Sequence, residues 1–179
     1  MIEGNKVRFR AYEKTDIDEC LKWINDPEVT ATLMMRYPVS RFQEEKWIES
    51  ILESTDGRHK VFAMETKDGI YLGGIGLHNV NWESRNAEAG IVIGKKEYWN
   101  KGYGTDAMLT LLDFAFHQMN LHRVYLRVYD FNLRGIKSYE KCGFKKEGVL
   151  RHDRYVKGEY HDSIIMGILK EEFEKMLKE

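Results

Sequence analysis

The sequence predicts a single α/β domain in which helices cover the faces of a mixed β-sheet. Three observations support this fold class. The 179 residues match the usual length of one domain. Apolar residues recur first at strand spacing and later at helical spacing, in the order strands, helix, strand, helix, strands. No repeat, low-complexity tract or interdomain linker divides residues 1–179.

The N-terminal third of the chain predicts one strand and two helices. Residues 7–11 alternate as a short strand does, and a helical pattern then runs until Asn25-Asp26-Pro27 interrupts it. After a loop, Ser40 and Gln43 have the capping-box spacing of a second helix, which we expect to end near Leu52. The predicted buried stripe of this second helix is Trp47, Ile48, Ile51 and Leu52.

The middle of the chain predicts a meander of three strands. Residues 61–64, 71–77 and 89–93 are short apolar runs separated by turn-forming residues. An amphipathic helix is then expected to begin just after Gly102-Tyr103-Gly104. Its predicted buried positions are Met108, Leu111, Leu112, Ala115 and Met119.

The C-terminal third predicts a strand, a helix and a final hairpin. The strand carries Val124, Leu126 and Val128 on one face. The helix runs from about Asn132 to Gly143, where glycine suits a left-handed C-terminal cap. The last strands are expected to meet at the turn Lys157-Gly158, which completes the sheet.

Composition narrows the functional class. Hydrophobic residues make up 42% of the chain and charged residues 32%, as in a globular protein. A net charge of -1 gives no broad basic surface of the kind that nucleic acid needs and leaves room only for local basic patches. No stretch has the roughly 20 apolar residues of a membrane helix. Residues 1–6 lack a signal-peptide pattern, and both cysteines, Cys20 and Cys142, fall within helical patterns. We therefore expect a soluble cytoplasmic protein with reduced thiols and with neither nucleic-acid nor membrane partners.

A glycine loop at the start of the central helix indicates an anion site. Residues 89–94 form a strand pattern, and residues 98–107 carry Gly102 and Gly104 directly into the helix. Glycines allow a close approach of the backbone to a ligand, and the first helical N–H groups lack intrahelical partners. The spacing fits neither a Walker A loop nor a Gly-x-Gly-x-x-Gly dinucleotide motif. A pyrophosphate is the expected ligand, and a simple tight turn is the alternative.

A second segment makes the interpretation more specific. Residues 128–132 read Val-Tyr-Asp-Phe-Asn, and residues 136–144 read Ile-Lys-Ser-Tyr-Glu-Lys-Cys-Gly-Phe. With the glycine loop, they resemble the GNAT superfamily of acyl-CoA-dependent N-acetyltransferases over nearly the whole length. Residues 7–10 and 26–29 are similar to the ribosomal-protein-alanine and spermidine acetyltransferase branch.

Two positions depart from the pattern of that superfamily. Trp99 stands where arginine or glutamine is usual, and Gly135 stands where serine often lies. By the resemblance, both changes would cost side-chain contacts to CoA, but a loop of this kind is expected to bind phosphate mainly through backbone amides.

The resemblance implies a twisted, mostly antiparallel sheet of about seven strands with a splayed parallel pair, and about four helices on its faces. Acetyl-CoA would insert its pantetheine arm between the splayed strands. The implied pantetheine contacts are the backbone groups of Ile91, Val92 and Ile93. The implied phosphate contacts are Asn100, Lys101, Gly102, Tyr103, Gly104 and Thr105, with Asn132 and Lys137 at the far end of CoA.

The resemblance also implies two proton-transfer residues. An alkylamine with a pKa near 10 must lose a proton before it attacks a thioester. Glu88 matches the family's base, acting directly or through water, with an exposed charge beside Arg85 as the alternative. Tyr139 matches the acid that protonates the departing thiolate, with plain packing as the alternative. The histidines show no metal-ligand spacing, so we expect no metal. Cys142 has no histidine nearby in sequence to activate it, so we expect no covalent acetyl-enzyme.

The acceptor side is predicted less sharply. Met34, Arg36, Tyr37 and Trp82 suggest an apolar, aromatic entry for a peptide end or an organic amine, and core packing is the alternative. A polyamine would favour more carboxylates than this region holds. We therefore rank a protein N-terminal amine of the ribosomal-protein-alanine type above spermidine and aminoglycosides.

Two non-catalytic alternatives remain, a CoA-binding regulatory module and a pure interaction domain. Many relatives form dimers, but no sequence feature here decides between a monomer and a homodimer.

Overall fold

A computed structural model describes residues 2–33, 37–53 and 57–178. Within these ranges the chain forms eight strands and six α-helices. The strands are β1 (Ile2–Glu3), β2 (Val7–Arg10), β3 (Lys60–Thr66), β4 (Tyr71–Asn81), β5 (Asn86–Ile93), β6 (Arg123–Tyr129), β7 (Lys145–Val156) and β8 (Glu159–Leu169). The helices are α1 (Ile17–Ile24), α2 (Pro27–Thr30), α3 (Arg41–Glu53), α4 (Tyr103–Asp113), α5 (Leu133–Lys141) and α6 (Lys170–Met176).

All eight strands belong to one sheet, in the order β1-β2-β3-β4-β5-β6-β8-β7. Every neighbouring pair is antiparallel except β5 and β6, which run parallel. The predicted mixed α/β fold is therefore confirmed. The sequence-based count missed β1, which is two residues long, as well as the one-turn helix α2 and the charged helix α6. Elements of this length give too few periods for a pattern to show.

Helices cover both faces of the sheet. Met64 and Ala63 are neighbours on β3 and therefore point to opposite faces. Met64 belongs to the larger buried cluster, which includes Leu111 and Leu112 of α4. Ala63 belongs to a smaller cluster with Cys20 of α1 and Ile48 of α3. Helix α4 thus packs on one face, and α1 and α3 pack on the other.

Helix α3 has a different buried side from the predicted one. Its capping box is confirmed, since Gln43 Oε1 accepts the Ser40 N–H at 2.9 Å. Of the predicted stripe, Ile48 is fully buried, but Trp47 is 41% exposed and Leu52 is 47% exposed. Glu44, one turn before Ile48, is instead only 3% exposed. The prediction was wrong because it counted apolar residues and placed no charged residue inside.

Asp106 ties the central helix α4 to the N-terminal segment. Its Oδ2 accepts the N–H groups of Lys6 at 2.7 Å and Val7 at 3.0 Å, and its Oδ1 accepts that of Asn5 at 3.0 Å. A buried carboxylate that bonds three backbone donors is satisfied without a cation. This contact fixes the first turn of α4 against the start of β2.

The later local predictions hold. Gly143 ends the α5 region at φ +89°, in the left-handed region that favours glycine. Residues 157 and 158 form the turn between β7 and β8. Cys20 and Cys142 are free and buried, as expected of thiols that pack as small apolar side chains.

Candidate active site

A cleft opens where strands β5 and β6 separate. Their parallel pairing covers only Asn86 with Arg123, Ala87 with Val124, and Glu88 with Tyr125. Beyond Glu88 the strand β5 still pairs with β4, since Ile91 lies opposite Ile75 and Ile93 lies opposite Gly73. The side of residues 91–93 that faces β6 therefore has no partner strand. A cavity of about 590 Å³ lies there, between β5 and the starts of α4 and α5.

The glycine loop forms one end of this cavity. Gly102 has φ +83°, which an L side chain rarely adopts, and helix α4 begins at the next residue. The first intrahelical bond joins the Asp106 N–H to the Gly102 carbonyl at 3.0 Å, so the amides of residues 103–105 have no partner within the helix. Gly104 lies close to β5, because a Cβ there would touch Ile93 Cδ1 at 3.5 Å. The loop and helix end together have the geometry of an anion site.

Trp99 positions this loop against β5. Its indole Nε1 donates to the Ile93 carbonyl at 2.8 Å. The guanidinium of Arg134, at the start of α5, lies over the indole ring at 4.0 Å from its centre. Both residues border the cavity, and neither was among the predicted site residues. The departure from the family pattern at Trp99 was the available signal, whereas the stack with Arg134 depends on the fold.

The far end of the cavity is basic. Arg134, Lys137 and Lys141 border it on α5, and neither lysine forms an ion pair with any described residue. Asn132 caps α5, since its Oδ1 accepts the Gly135 N–H at 3.0 Å. Thr105 Oγ1 and Ser138 Oγ join the two helices at 2.9 Å. Free cations beside a helix N-terminus fit a ligand that carries several phosphates.

Most of the predicted cosubstrate residues border the cavity. The exceptions are Lys101 and Tyr103. The Lys101 ammonium lies over the Tyr98 ring at 5.9 Å, and the Tyr103 ring packs edge-on against the same ring at 5.1 Å. The predicted residues that do border it are Ile91, Val92, Ile93, Asn100, Gly102, Gly104, Thr105, Asn132 and Lys137.

Glu88 is the last residue of β5 that pairs with β6, and it does not border the cavity. Its Oε1 accepts from Arg127 Nε at 3.1 Å, and its Oε2 lies 3.5 Å from Asn79 Nδ2. The side chain is largely buried. Its ion-pair partner is thus Arg127 on β6 and not the neighbouring Arg85.

Tyr139 borders the cavity from α5. Its ring packs against Phe144 at 6.0 Å, and no hydrogen bond joins its hydroxyl to a described residue. Burial raises the pKa of Tyr139 to about 12. The phenol therefore keeps its proton at neutral pH and has a free donor.

The predicted acceptor residues are placed differently. Met34 and Arg36 lie outside the described residues. Tyr37 and Trp82 are largely exposed and do not border the cavity. The residues of the α2 region that do border it are Val29, Thr32 and Leu33.

The described residues offer neither a clustered set of metal ligands nor a membrane-spanning helix. They contain no group of three or more histidine, cysteine or acidic side chains placed to hold a metal ion. Among their helices, none has the length and apolar character needed to cross a bilayer.

Comparison with known proteins agrees with this geometry. The profile of the family described as "Acetyltransferase (GNAT) domain" matches residues 6–145. The spermidine N(1)-acetyltransferase of Escherichia coli (strain K12) is 30% identical over 181 residues, covering 97% of this chain and 91% of that protein. The putative ribosomal N-acetyltransferase YdaF of Bacillus subtilis is 37% identical over 107 residues, covering 60% of this chain and 58% of that protein.

A solved structure is similar as well. The spermidine N-acetyltransferase from Vibrio cholerae, crystallised in complex with CoA and spermine, superposes with a TM-score of 0.86 at 27% identity. The match covers 93% of this chain and 97% of that one. The chain therefore belongs to the GNAT family of acetyltransferases.

Proposed function

We propose that this N-acetyltransferase transfers the acetyl group of acetyl-CoA to a primary amine of a small polyamine. The observation that carries the proposal is the similarity to spermidine acetyltransferases along nearly the whole chain, at 30% identity for the Escherichia coli protein. This reverses the order expected from the sequence alone, which placed a protein N-terminus first.

The cavity fits acetyl-CoA in three respects. Its free helix N-terminal amides and its α5 cations suit the phosphates. The backbone edge of residues 91–93, which has no partner strand on the side of β6, suits the amides of a pantetheine arm. The phenol of Tyr139 has a free donor for a sulfur atom. When bound, acetyl-CoA supplies an activated thioester.

In the proposed mechanism, Glu88 removes the proton from the attacking ammonium. Because its carboxylate does not border the cavity, the proton passes through a water molecule. The salt bridge to Arg127 holds one oxygen and leaves the other only weakly bonded to Asn79 at 3.5 Å. Replacement Glu88→Gln should lower kcat/KM and remove its acid-side pH dependence. An unchanged pH profile would exclude the base role.

Tyr139 then donates a hydrogen bond to the departing thiolate. Its position on the cavity wall and its retained proton support this role. No acetyl-enzyme is required, because amine and thioester meet directly in one cleft. Cys142 is buried, and burial raises its pKa to about 12, so it is a poor nucleophile.

A protein N-terminal amine is the second candidate acceptor. It is supported by the match to YdaF, which covers a smaller share of each chain. An acceptor screen that measures thiol release separates the two. Spermidine should give a kcat/KM at least tenfold above that of N-terminal alanine peptides. The reverse order would favour the protein acceptor, and acetyl-CoA binding without release on any amine would indicate a regulatory module.

The cytoplasmic location stays a prediction. Free, buried cysteines agree with it, because reducing compartments keep thiols unpaired. The homodimer likewise stays open, and the mass of the protein in solution will decide it.

A further inference from the structure

A second, smaller cavity of about 40 Å³ lies beside the main one, between α1, α3 and the sheet. It shares two wall residues, Leu33 and Val92, with the larger cavity, so the two are neighbours. The walls of this smaller cavity include four aromatic rings and one carboxylate. We call this set the aromatic cage, and it consists of Tyr12, Trp23, Trp47, Tyr71 and Glu44.

The carboxylate of Glu44 has no partner in the described part of the chain. The residue is only 3% exposed, yet no hydrogen bond or ion pair joins its side chain to a described residue. Other buried carboxylates here are satisfied, since Asp16 and Glu65 pair with Arg10. Burial raises the pKa of Glu44, because the charged form loses its water. Such a group is costly unless a ligand compensates it.

The walls of the cage favour a cation. Aromatic faces attract ammonium groups, and a buried carboxylate gains most from an opposite charge in contact with it. Within the described residues, the guanidinium of Arg10 lies over the Tyr71 ring at 5.2 Å. It is already paired with Asp16 and Glu65, so it does not neutralise Glu44. The volume suits one ammonium head group, which is about the size of a water molecule.

We propose that the aromatic cage binds an ammonium group of the acceptor that is not acetylated, and so selects acceptors with at least two amines. This inference rests on the proposed function. Glu88 and Val92 lie on the same face of β5, four residues apart, which separates the proposed base from the cage wall by about 13 Å. A monoamine cannot occupy both places. An extended diamine or polyamine can place one amine at the thioester and another at Glu44.

The test compares Glu44→Gln with the wild type, using spermidine and the length-matched pair diaminooctane and octylamine. The variant should raise KM for spermidine and diaminooctane by about ten- to a hundredfold, as expected when a charge-assisted contact is lost. Its kcat, its KM for acetyl-CoA and its octylamine kinetics should stay within about twofold. Glu49→Gln, which removes an exposed carboxylate from the same helix, should behave as the wild type.

A second variant probes the rings. Trp47→Leu keeps apolar bulk at a partly exposed position and should raise KM for the diamine about two- to fivefold. Spermidine alone should raise the Tm of the wild type more than that of Glu44→Gln.

Two outcomes would overturn the proposal. An unchanged diamine KM in Glu44→Gln would exclude the cage as the ammonium site. A loss of octylamine turnover in that variant would make Glu44 a base for the reacting amine. If the wild type acetylates no amine, the proposed function fails, and the spermidine-dependent Tm shift still decides whether the cage binds an ammonium.

Discussion

Replacement of Tyr139 by phenylalanine tests how the thiolate leaves. The side chain keeps its packing on Phe144 and loses only a hydroxyl that no described residue bonds. With a pKa of about 12, the phenol is a weaker acid than a thiol with a pKa of about 8.5. Full proton transfer to the thiolate would therefore be uphill by about 3.5 pKa units, or about 5 kcal/mol.

We therefore expect Tyr139 to contribute a hydrogen bond to the developing negative charge on sulfur, without the full proton transfer that the family resemblance implies. A bond of that kind contributes about 1.5–3 kcal/mol. Tyr139→Phe should therefore lower kcat by about ten- to a hundredfold, with KM for acetyl-CoA changed by less than about threefold. Because Tyr139 stays protonated below about pH 11, the remaining activity should show no new basic limb between pH 6 and 10.

The assay is thiol release at saturating acetyl-CoA and acceptor across that pH range. Tyr98→Phe is the matched control, since Tyr98 borders the same cavity but packs on Tyr103 at the glycine loop. A wild-type kcat in Tyr139→Phe would refute the reasoning. An equal loss in Tyr98→Phe would show that the effect comes from general disturbance of the cavity.

Three further predictions concern residues that position or surround the cavity. Asp106→Asn should lower the free energy of unfolding by about 2–4 kcal/mol in urea titrations, because three backbone donors lose a charged acceptor. The control Asp113→Asn changes an exposed residue and should alter the free energy of unfolding by less than about 0.5 kcal/mol. Trp99→Phe removes the indole hydrogen bond and weakens the stack on Arg134, so KM for acetyl-CoA should rise about three- to thirtyfold at nearly constant kcat. An unchanged KM would contradict the proposed positioning role of Trp99. Because burial raises the pKa of Glu44, the wild type loses stability as pH rises from about 4.5 through the pKa of the folded state. The Tm of Glu44→Gln should therefore exceed that of the wild type at pH 7, and this difference should disappear below pH 4. A difference that stays constant with pH would count against a buried ionisable Glu44.

The sequence was sufficient where the determining interactions are local. The strand β5, the glycine loop and the start of α4 follow each other directly in the chain, so a helix N-terminus beside two glycines was readable as an anion site. The C-cap at Gly143 and the turn at residues 157 and 158 likewise depend on single backbone angles.

The sequence did not predict contacts between segments that lie far apart along the chain. Arg134 meets Trp99 across 35 positions only because α5 folds back over the loop, and no periodicity records that. Glu44 was missed for a different reason, since its helix carries apolar residues on more than one side. A count of apolar positions then favoured Trp47 and Leu52, which are exposed in the structure.

The short parallel pairing of β5 with β6 has a mechanical consequence. Only three residue pairs of β5 and β6 connect the two parts of the sheet within the described residues, so few backbone hydrogen bonds hold this seam together. In the proposed binding mode, the pantetheine arm of acetyl-CoA would lie in that seam as an extra strand and would share its amides with the backbone of β5. Saturation with the donor should accordingly slow amide hydrogen exchange along residues 91–93 and 125–129 more than in the outer strands β1 and β7.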